Sequence, residues 1–222
     1  GVKAKIKDAK GKVSESEFSH CIVAIGIVPN TEDIGIEKLA EMDRGFIQID
    51  PYGRTKSKGL WAIGDCTPGP WLAHKASHEG VTAAEAIAQE LGNKDVHPHP
   101  LDRNNIPGCT YCNPQVASVG LSERACRNSG IEYLSEKYPF EDHGKSMVIG
   151  ETEGFVKILC DPRSGEILGG HIVGPEASEL IHEIIAVMYF RGTVRDLARI
   201  PHYHPTLAEI LTYPAEELAE QL

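Results

Sequence analysis

The stretch GFVKILCDPRSGEILGGHIV, residues 154–173, contains two runs rich in apolar and β-branched side chains, separated by a short polar segment. Runs of this length and composition are typical of β-strands, which predicts strands at Gly154–Cys160 and Ile167–Val173. Between them, Asp161–Gly165 (DPRSG) is composed of residues that favour tight turns. The stretch therefore predicts a two-stranded β-hairpin.

Segments on either side of this hairpin extend the pattern. Further strands are predicted at Gln115–Val119 and Glu132–Pro139, and Ser122 is expected to begin a short helix between them. Helices are predicted at Glu176–Phe190 and in the segment that follows residues 204–206 (HPT) and runs to the C-terminus. Because strands are followed by segregated helices, we predict an α+β domain built on one open antiparallel sheet.

The first half of the chain has a different pattern, with short strands and one long helix. Strands are predicted in VKAKI (residues 2–6), Arg44–Thr55 and Leu60–Asp65. Cys21–Ile25 is apolar at every position, which is typical of a strand buried on both faces of a layered α/β sheet. The alanine- and glutamate-rich segment Leu72–Leu91 predicts a helix.

The segment Asn93–Asn105 (NKDVHPHPLDRNN) separates these two patterns. It is polar and proline-rich, and it has neither helical nor strand periodicity. A chain of 222 residues is long enough for one large domain or two small ones. We therefore place a domain boundary in this segment.

Composition excludes several classes of protein. The formal net charge is −10 and the sequence pI is about 5.5, so a nucleic-acid-binding surface is not expected. No apolar stretch approaches the roughly 20 residues that span a bilayer, and the N-terminus lacks the apolar run of a signal peptide. The six cysteines are scattered, which predicts free thiols in a reducing compartment. A first strand that begins abruptly indicates a chain cut from a longer one.

The sequence HYHPTLAE, residues 202–209, holds the first candidate for catalytic chemistry. His204 precedes a proline, which keeps its backbone out of the helical region, and Thr206 could cap a helix whose fourth residue is Glu209. A carboxylate on one ring nitrogen would set the tautomer of the imidazole and make the other nitrogen a general base. The spacing also fits a capped helix start with a solvated histidine, and on spacing alone this is the commoner arrangement.

Three further segments could contact a ligand. AIGD ends a predicted strand, where Asp65 could accept hydrogen bonds from sugar or ribityl hydroxyls, or could cap the following loop. WLAHKASHEG begins the predicted helix with small residues such as Ala73, which would admit a flat ring but also suit a well-packed helix. AIGIVPN contains Gly26, which could admit a ligand close to the backbone or serve a tight turn.

Cysteine and histidine spacings give little support for a metal site. Cys109 and Cys112 form a CxxC pair, but the chain has no second such pair and this one lies beside a predicted strand. His74 and His78 are four residues apart on the predicted helix, without an HExxH pattern around them. We therefore predict structural cysteines and no metal.

Four of these segments occur together and in order: AIGIVPNT, AIGD, LAHKASHEG and HPTLAE. In this combination they resemble the flavin-dependent pyridine nucleotide–disulfide oxidoreductases. LAHKASHEG, IPGCTYCNPQVASVGLSE and GGHIVGPEASELI are similar to the dihydrolipoamide dehydrogenase branch of that family, and the resemblance covers nearly the whole chain. It implies the C-terminal half of such an enzyme.

The resemblance implies a role for each of five residues. His204 looks like the active-site base that takes the proton from a dihydrolipoamide thiol, and Glu209 looks like the carboxylate that orients this base. Asp65 is similar to the aspartate that binds the ribityl–phosphate region of FAD. Ala73 matches the alanine whose backbone amide contacts the isoalloxazine ring, and Gly26 matches a glycine lining the NAD site.

The resemblance also implies an architecture and partners. Residues 1–28 would be the C-terminal strands of an NAD-binding α/β domain, 29–100 the C-terminal part of an FAD-binding α/β domain, and 101–222 the interface domain. Homodimerisation through about residues 105–222 would bring His204 to the disulfide and flavin of the partner subunit. The implied substrates are lipoyl domains of 2-oxo-acid dehydrogenase complexes, in the bacterial cytoplasm or the mitochondrial matrix, with no nucleic-acid or membrane partner.

The chain departs from the family pattern in several places. The usual arginine after AIG is Ile27, which puts a contact to NAD in doubt. The sequence contains no GxGxxG fingerprint and no CxxxxC redox pair, so we expect the chain to be inactive alone. Three alternatives stay open: a transhydrogenase-like flavoprotein, a dimerisation module without activity, and a mercuric reductase, although the last would need a C-terminal cysteine pair where this chain has EELAEQL.

Overall fold

The computed structural model describes residues 1–222, which divide between Leu101 and Asp102 into two units. This division falls within the segment Asn93–Asn105, where the sequence places a domain boundary. Each unit has its own secondary structure. No helix in either unit has the length and apolar character needed to cross a membrane.

Residues 1–101 contain four short strands and one long helix. The strands are β1 (Val2–Lys7), β2 (Val13–Phe18), β3 (Met42–Asp43) and β4 (Phe46–Ile47), and the helix is α1 (Ala73–Glu90). β1 pairs with β2 and β3 pairs with β4, each in antiparallel fashion. The predictions of a strand in VKAKI and of a helix over Leu72–Leu91 are confirmed.

The prediction of a buried strand at Cys21–Ile25 is wrong. These residues form no strand, and the side chains of Ile22, Val23 and Ile25 are exposed. A strand buried on both faces needs neighbouring strands for its backbone groups and helices over its side chains. The nearby sheet consists of β1 and β2 alone, which pair only with each other. The apolar run therefore lacks the layers that its composition would suit.

The strands predicted at Arg44–Thr55 and Leu60–Asp65 are found only in small part. The first contributes the two residues of β4, and the second contributes an isolated antiparallel bridge between Trp61 and Arg54. The second segment turns directly into a 3₁₀ helix at Gly64–Cys66. Arg54 holds these loops together, because its guanidinium also bonds to Asp50 and Glu90 and lies over the ring of Trp61. Side-chain contacts thus replace the expected strand pairing.

Residues 102–222 contain an antiparallel sheet and five helices. The strands are β5 (Gly108–Thr110), β6 (Gln115–Gly120), β7 (Leu134–Pro139), β8 (Phe155–Cys160) and β9 (Ile167–Gly174), in the spatial order β5-β6-β9-β8-β7. The helices are α2 (Glu123–Ser129), α3 (Gly144–Ile149), α4 (Ala177–Tyr189), α5 (Val194–Arg199) and α6 (Thr212–Glu220). Short 3₁₀ helices lie at Arg103–Asn105, Phe140–Asp142 and Ala208–Leu211. The predicted strands, the helix capped by Ser122 and the helix near Glu176–Phe190 are confirmed.

The β8–β9 hairpin is closed by the carboxylate of Asp161. Its Oδ1 accepts hydrogen bonds from the backbone N–H groups of Arg163 (2.9 Å) and Ser164 (2.8 Å). These backbone bonds lower the pKa of Asp161. Gly165 completes the turn with a φ of 76°, a left-handed conformation that glycine adopts without strain. The turn chemistry of DPRSG therefore sets the pairing of β8 with β9.

The core of this unit lies between the sheet and helices α4–α6. On β8, the alternate residues Val156, Ile158 and Cys160 are fully buried, and they belong to one cluster with Ile181 and Ile184 of α4. Burying a side chain the size of isoleucine contributes about 1.5–3 kcal/mol. The cluster holds α4 against the central strands, so this helix provides a fixed support for the loops around it.

Gly154, just before β8, is required by the sheet itself. Its φ is 107°, and a Cβ built on it would lie 1.8 Å from the carbonyl oxygen of Val173 in β9. Any side chain there would force the two central strands apart. The hairpin motif therefore depends on a glycine as well as on its apolar residues.

Helix α5 does not follow from the apolar pattern, although its start carries a recognisable signal. Thr193 accepts a hydrogen bond from the backbone N–H of Asp196, and the carboxylate of Asp196 accepts one from the backbone N–H of Thr193. This reciprocal capping box corresponds to the sequence TVRD. The helix positions the segment that leads into HYHPTLAE.

We expect stability at acid pH to depend on Glu123, at the start of α2. Hydrogen bonds from Lys157 of β8 and from Arg127 lower its pKa to about 2. A lowered carboxylate pKa contributes stability that is present above pH ~4.5 and is lost as the pH falls towards 2. The destabilisation caused by Glu123→Gln, measured by urea unfolding, should therefore shrink over that interval. Glu153→Gln, at an exposed glutamate without a bonded partner, is the control, and a Glu123→Gln effect independent of pH would contradict the prediction.

Candidate active site

His204 and Glu209 lie together on the segment that follows α5. The His204 Nδ1 atom is 2.9 Å from Oε1 of Glu209. The histidine side chain is 82% exposed, whereas that of Glu209 is 17% exposed. The contact that the spacing of HYHPTLAE suggested is thus present, with the carboxylate sheltered and the imidazole directed outwards.

The state of Glu209 determines which nitrogen of His204 carries the proton. Its second oxygen, Oε2, accepts a hydrogen bond from the backbone N–H of Thr206 at 2.6 Å. This bond, followed by the interaction with His204, lowers the pKa of Glu209, so the group is a carboxylate at neutral pH. A carboxylate only accepts hydrogen bonds, so Nδ1 of His204 must donate. The neutral ring then has its lone pair on Nε2, which is the nitrogen that can accept a proton.

The helix start at this site differs from the prediction. Thr206 does not cap a helix with its side chain, because its hydroxyl donates to the carbonyl oxygen of Tyr203 at 2.7 Å. The carboxylate of Glu209 accepts from the Thr206 N–H, and the 3₁₀ helix that begins at Ala208 has Leu207 at its N-cap, without a side-chain bond. The carboxylate therefore orients the histidine and closes the loop at the same time.

Of the two histidines in HYH, only His204 has a free nitrogen. His202 bonds to the carbonyl oxygen of Ile200 through Nδ1 (2.7 Å) and to Oε1 of Glu183 through Nε2 (2.8 Å). Its side chain is 9% exposed. A base must offer an accessible lone pair, so the geometry favours His204 as the candidate base.

A third histidine, His143, interacts electrostatically with this pair. It is buried at the start of α3, where its Nδ1 lies 2.9 Å from the hydroxyl of Ser146. Burial lowers the pKa of His143, although the negative charge of Glu209 acts in the opposite direction. A neutral imidazole in this place adds no competing positive charge next to Glu209.

Asp65 and Ala73, the candidate flavin-binding residues, lie on neighbouring elements of the first unit. Asp65 is exposed on the 3₁₀ helix Gly64–Cys66, and its carboxylate bonds to no other protein group. Ala73 is exposed as the first residue of α1, where a helix supplies no acceptor for the backbone N–H. α1 packs against the 3₁₀ helix. The two residues therefore present an acceptor and a donor from adjoining elements.

A buried ion pair holds the 3₁₀ helix against α1. The Lys75 ammonium lies 3.0 Å from Oε1 of Glu79 and donates to the Thr67 hydroxyl (2.8 Å) and the Gly64 carbonyl (3.1 Å). The backbone N–H of Gly64 donates to Oε2 of Glu79 at 2.7 Å. All three ammonium protons thus have acceptors, as a buried charge requires. The backbone next to Asp65 is consequently held in place through the bonds that Lys75 and Glu79 make to Gly64.

Gly26, the candidate NAD-binding residue, lies in an exposed segment without regular structure. Its φ is 126°, a value that side-chain-bearing residues rarely adopt, and a Cβ on it would meet no atom within 4 Å. The structure therefore offers open backbone at Gly26 but does not assemble a pocket around it.

The cysteines and histidines form no metal centre. No group of three or more His, Cys, Asp or Glu side chains is arranged to hold an ion, and all six cysteines are free thiols. Burial, with a smaller effect from Cys112, raises the pKa of Cys109. A raised pKa keeps a thiol protonated and poorly nucleophilic.

Neither the Lys75–Glu79 pair nor the His202–Glu183 bond follows from a sequence motif. A signal for the first exists, because Lys75 shares a helical face with Thr82 and Ala86, which are buried. A lysine on that face predicts a buried charge that needs a partner. His202 and Glu183 are 19 residues apart on different elements, and nothing local in the sequence connects them.

Comparison with known proteins gives matches along most of the chain. Residues 2–80 match the family model described as pyridine nucleotide-disulphide oxidoreductase. Residues 106–215 match the model described as the dimerisation domain of pyridine nucleotide-disulphide oxidoreductases. The two units of the chain thus match different parts of one family.

Individual relatives give the same result. The dihydrolipoyl dehydrogenase of Zymomonas mobilis is 49% identical over 212 residues, which is 95% of this chain and 44% of the relative. The mitochondrial dihydrolipoyl dehydrogenase of Pisum sativum is 36% identical over 214 residues, or 95% of this chain and 41% of the relative. The crystal structure of LpdA from Mycobacterium tuberculosis superimposes with a TM-score of 0.82 at 30% identity, covering 95% of this chain and 44% of that one. The chain therefore spans less than half the length of these relatives, and it belongs to the pyridine nucleotide–disulphide oxidoreductase family.

Proposed function

We propose that this chain is the C-terminal half of a flavoprotein that oxidises protein-bound dihydrolipoamide with NAD⁺. The observation that carries the proposal is the hydrogen bond between His204 Nδ1 and Glu209 Oε1, 2.9 Å long, on a ring that is otherwise exposed. The names of the Zymomonas mobilis and Pisum sativum relatives support dihydrolipoamide as the substrate.

His204 acts in this proposal as the general base. Its Nε2 takes the proton from a dihydrolipoamide thiol, which leaves a thiolate, the form that attacks a disulfide. Glu209 holds Nδ1–H and stabilises the positive charge that the ring gains, because its carboxylate stays ionised at neutral pH. The disulfide itself would come from outside these 222 residues, since the sequence has no CxxxxC pair.

The first unit would contribute to the cofactor sites. We assign residues 1–28 to an NAD-binding domain, 29–100 to an FAD-binding domain and 101–222 to the interface domain. FAD, when bound, supplies the two-electron carrier between the thiols and the nicotinamide. Asp65 would accept hydrogen bonds from its ribityl region and Ala73 would donate its backbone N–H to the ring, and both groups fit because they are exposed and lack protein partners. Gly26 would line the NAD site.

The second unit would form a homodimer. Its match to a dimerisation domain supports this, as do exposed apolar side chains such as Val148, Tyr189 and Phe190. In such a dimer His204 would serve the disulfide and flavin of the partner subunit. The physiological substrates would be lipoyl domains of 2-oxo-acid dehydrogenase complexes, in the bacterial cytoplasm or the mitochondrial matrix.

A chimera tests the proposed activity. Residues of this chain would replace the 212 aligned residues of the Zymomonas mobilis relative, and flavin absorbance would verify that the chimera binds FAD. We expect NADH formation that depends on dihydrolipoamide. A chimera that binds FAD but reduces a different substrate, such as glutathione disulfide or Hg²⁺, and does not oxidise dihydrolipoamide would overturn the assignment.

The expected inactivity of the isolated chain can be tested directly. We expect the purified 222-residue chain to form no NADH with dihydrolipoamide, because the sequence lacks both the redox cysteine pair and the GxGxxG motifs. Size-exclusion chromatography with light scattering would report whether it dimerises. Stoichiometric FAD together with lipoamide-dependent NADH formation would disprove the expected inactivity.

A further inference from the structure

The Glu183–His202 bond lies next to the candidate base but takes no part in the proposed proton transfer. His202 precedes His204 by two residues, and Glu183 lies on α4. The Nε2 atom of His202 is 2.8 Å from Oε1 of Glu183, and its Nδ1 atom is 2.7 Å from the Ile200 carbonyl oxygen. Every polar atom of this imidazole therefore has a partner in the protein.

The two acceptors fix the ring in orientation. The Ile200 carbonyl oxygen lies 2.7 Å from Nδ1 and the Glu183 carboxylate 2.8 Å from Nε2, so contacts at both ring nitrogens leave the imidazole little freedom to rotate. With its side chain 9% exposed, His202 has little contact with water to compete with Glu183.

The support on the other side of this bond is rigid. Glu183 lies between Ile181 and Ile184, which are buried in the core against the sheet. A carboxylate on this stretch of α4 cannot move far without disturbing that packing. His202 is thus bonded to a helix whose neighbouring residues are buried in the core.

The base itself has no such support. The His204 side chain is 82% exposed and bonds within the chain through Nδ1 alone. Its position depends on the backbone of residues 200–206, which the Thr206–Glu209 bond fixes at one end. His202 is the group that fixes the other end.

We propose that Glu183 and His202 are positioning residues that hold the loop carrying His204 so that its ring keeps the Glu209 bond. This rests on the proposed role of His204 as the base. Small displacements of a catalytic group lower turnover sharply. Loosening the loop should therefore lower kcat by about 10-fold or more and leave KM nearly unchanged, because neither residue is placed in the binding of substrate.

The direct test is ¹⁵N NMR of histidine side chains in the 222-residue chain, with the His204 signals identified by their absence from His204→Gln. In the unmodified chain, His204 should show protonated Nδ1 and unprotonated Nε2. Glu183→Ala should convert this to a mixture of tautomers. Glu183→Gln, which keeps a hydrogen-bond acceptor, should restore much of the original state, and Glu179→Ala, at an exposed glutamate of the same helix, should have no effect.

The possible results separate this inference from the proposed function. If Glu183→Ala leaves the His204 tautomer and kcat of the chimera unchanged, the positioning role is wrong even where His204 is essential. If Glu183→Ala changes the His204 tautomer but not kcat, Glu183 and His202 have no positioning role in catalysis. If His204→Gln does not affect turnover, the proposed function fails, whatever the tautomer measurement shows. Urea unfolding of Glu183→Ala and Glu179→Ala would show whether a loss arises from instability, and a loss fully explained by unfolding would count against the inference.

Discussion

His204→Gln in the chimera is expected to lower kcat/KM for dihydrolipoamide oxidation by about 10²–10⁴-fold, the contribution of a positioned general base. Glutamine has a similar size and can hydrogen-bond to Glu209, but it cannot accept the thiol proton. Because this interaction is made during proton transfer, the loss should appear mainly in kcat. Steady-state kinetics over a range of dihydrolipoamide concentrations measure both parameters.

Two further variants make the result specific. His182→Gln changes an exposed histidine of the same unit, whose ring bonds only to the carbonyl oxygen of Ser178, and should leave kcat near that of the unmodified chimera. Glu209→Gln should lower kcat by less than His204→Gln and by more than His182→Gln. In this variant His204 remains, but a carboxylate no longer imposes its tautomer. If His204→Gln turned over dihydrolipoamide at nearly the unmodified rate, His204 could not be the base.

The elements that the sequence predicts correctly are those that depend on local information. The β8–β9 hairpin is set by two short runs and the turn chemistry around Asp161, and α1 is set by a long stretch of helix-forming residues. In both cases the residues that define the structure are close together in sequence. Long-range context is not needed to fix them.

Cys21–Ile25 shows where local information is insufficient. Its composition suits a strand buried on both faces, but burial is a property of the layers around a strand. Within this chain those layers are missing, and Ile22 and Ile25 are more than 90% exposed. An apolar run therefore indicates that a segment is suited to a buried strand. Whether the strand forms depends on the layers that the rest of the chain provides.

The candidate site divides in the same way. His204 and Glu209 are five residues apart, so the loop and helix start between them bring the two side chains together, and the spacing predicts the contact. His202 and Glu183 meet only because α4 and the loop after α5 are packed on one core. For Lys75, the sequence shows the helical face but not the Gly64 carbonyl and Thr67 hydroxyl that lie over it.

Lys75→Met is expected to destabilise residues 1–101 by about 3–5 kcal/mol, the cost of removing one partner from a buried ion pair. Methionine fills a similar volume, but the Glu79 carboxylate would be left buried without a cation, and the Gly64 carbonyl would lose a donor. Both tryptophans of the chain, Trp61 and Trp71, lie in this unit. Tryptophan fluorescence during urea unfolding therefore reports on it selectively.

Comparison with a double variant distinguishes the charge from the packing. The double variant Lys75→Met/Glu79→Leu removes both charges. It should be destabilised less than Lys75→Met alone, because no unpaired carboxylate stays buried. Lys58→Met changes an exposed lysine without a bonded partner, and its free energy of unfolding should equal that of the unmodified chain. The same network holds Gly64, next to Asp65, so Lys75→Met should also weaken FAD binding in the chimera. Unchanged stability in Lys75→Met would mean that the ion pair does not hold the 3₁₀ helix against α1, and Asp65 would then lack the fixed support on which its proposed role depends.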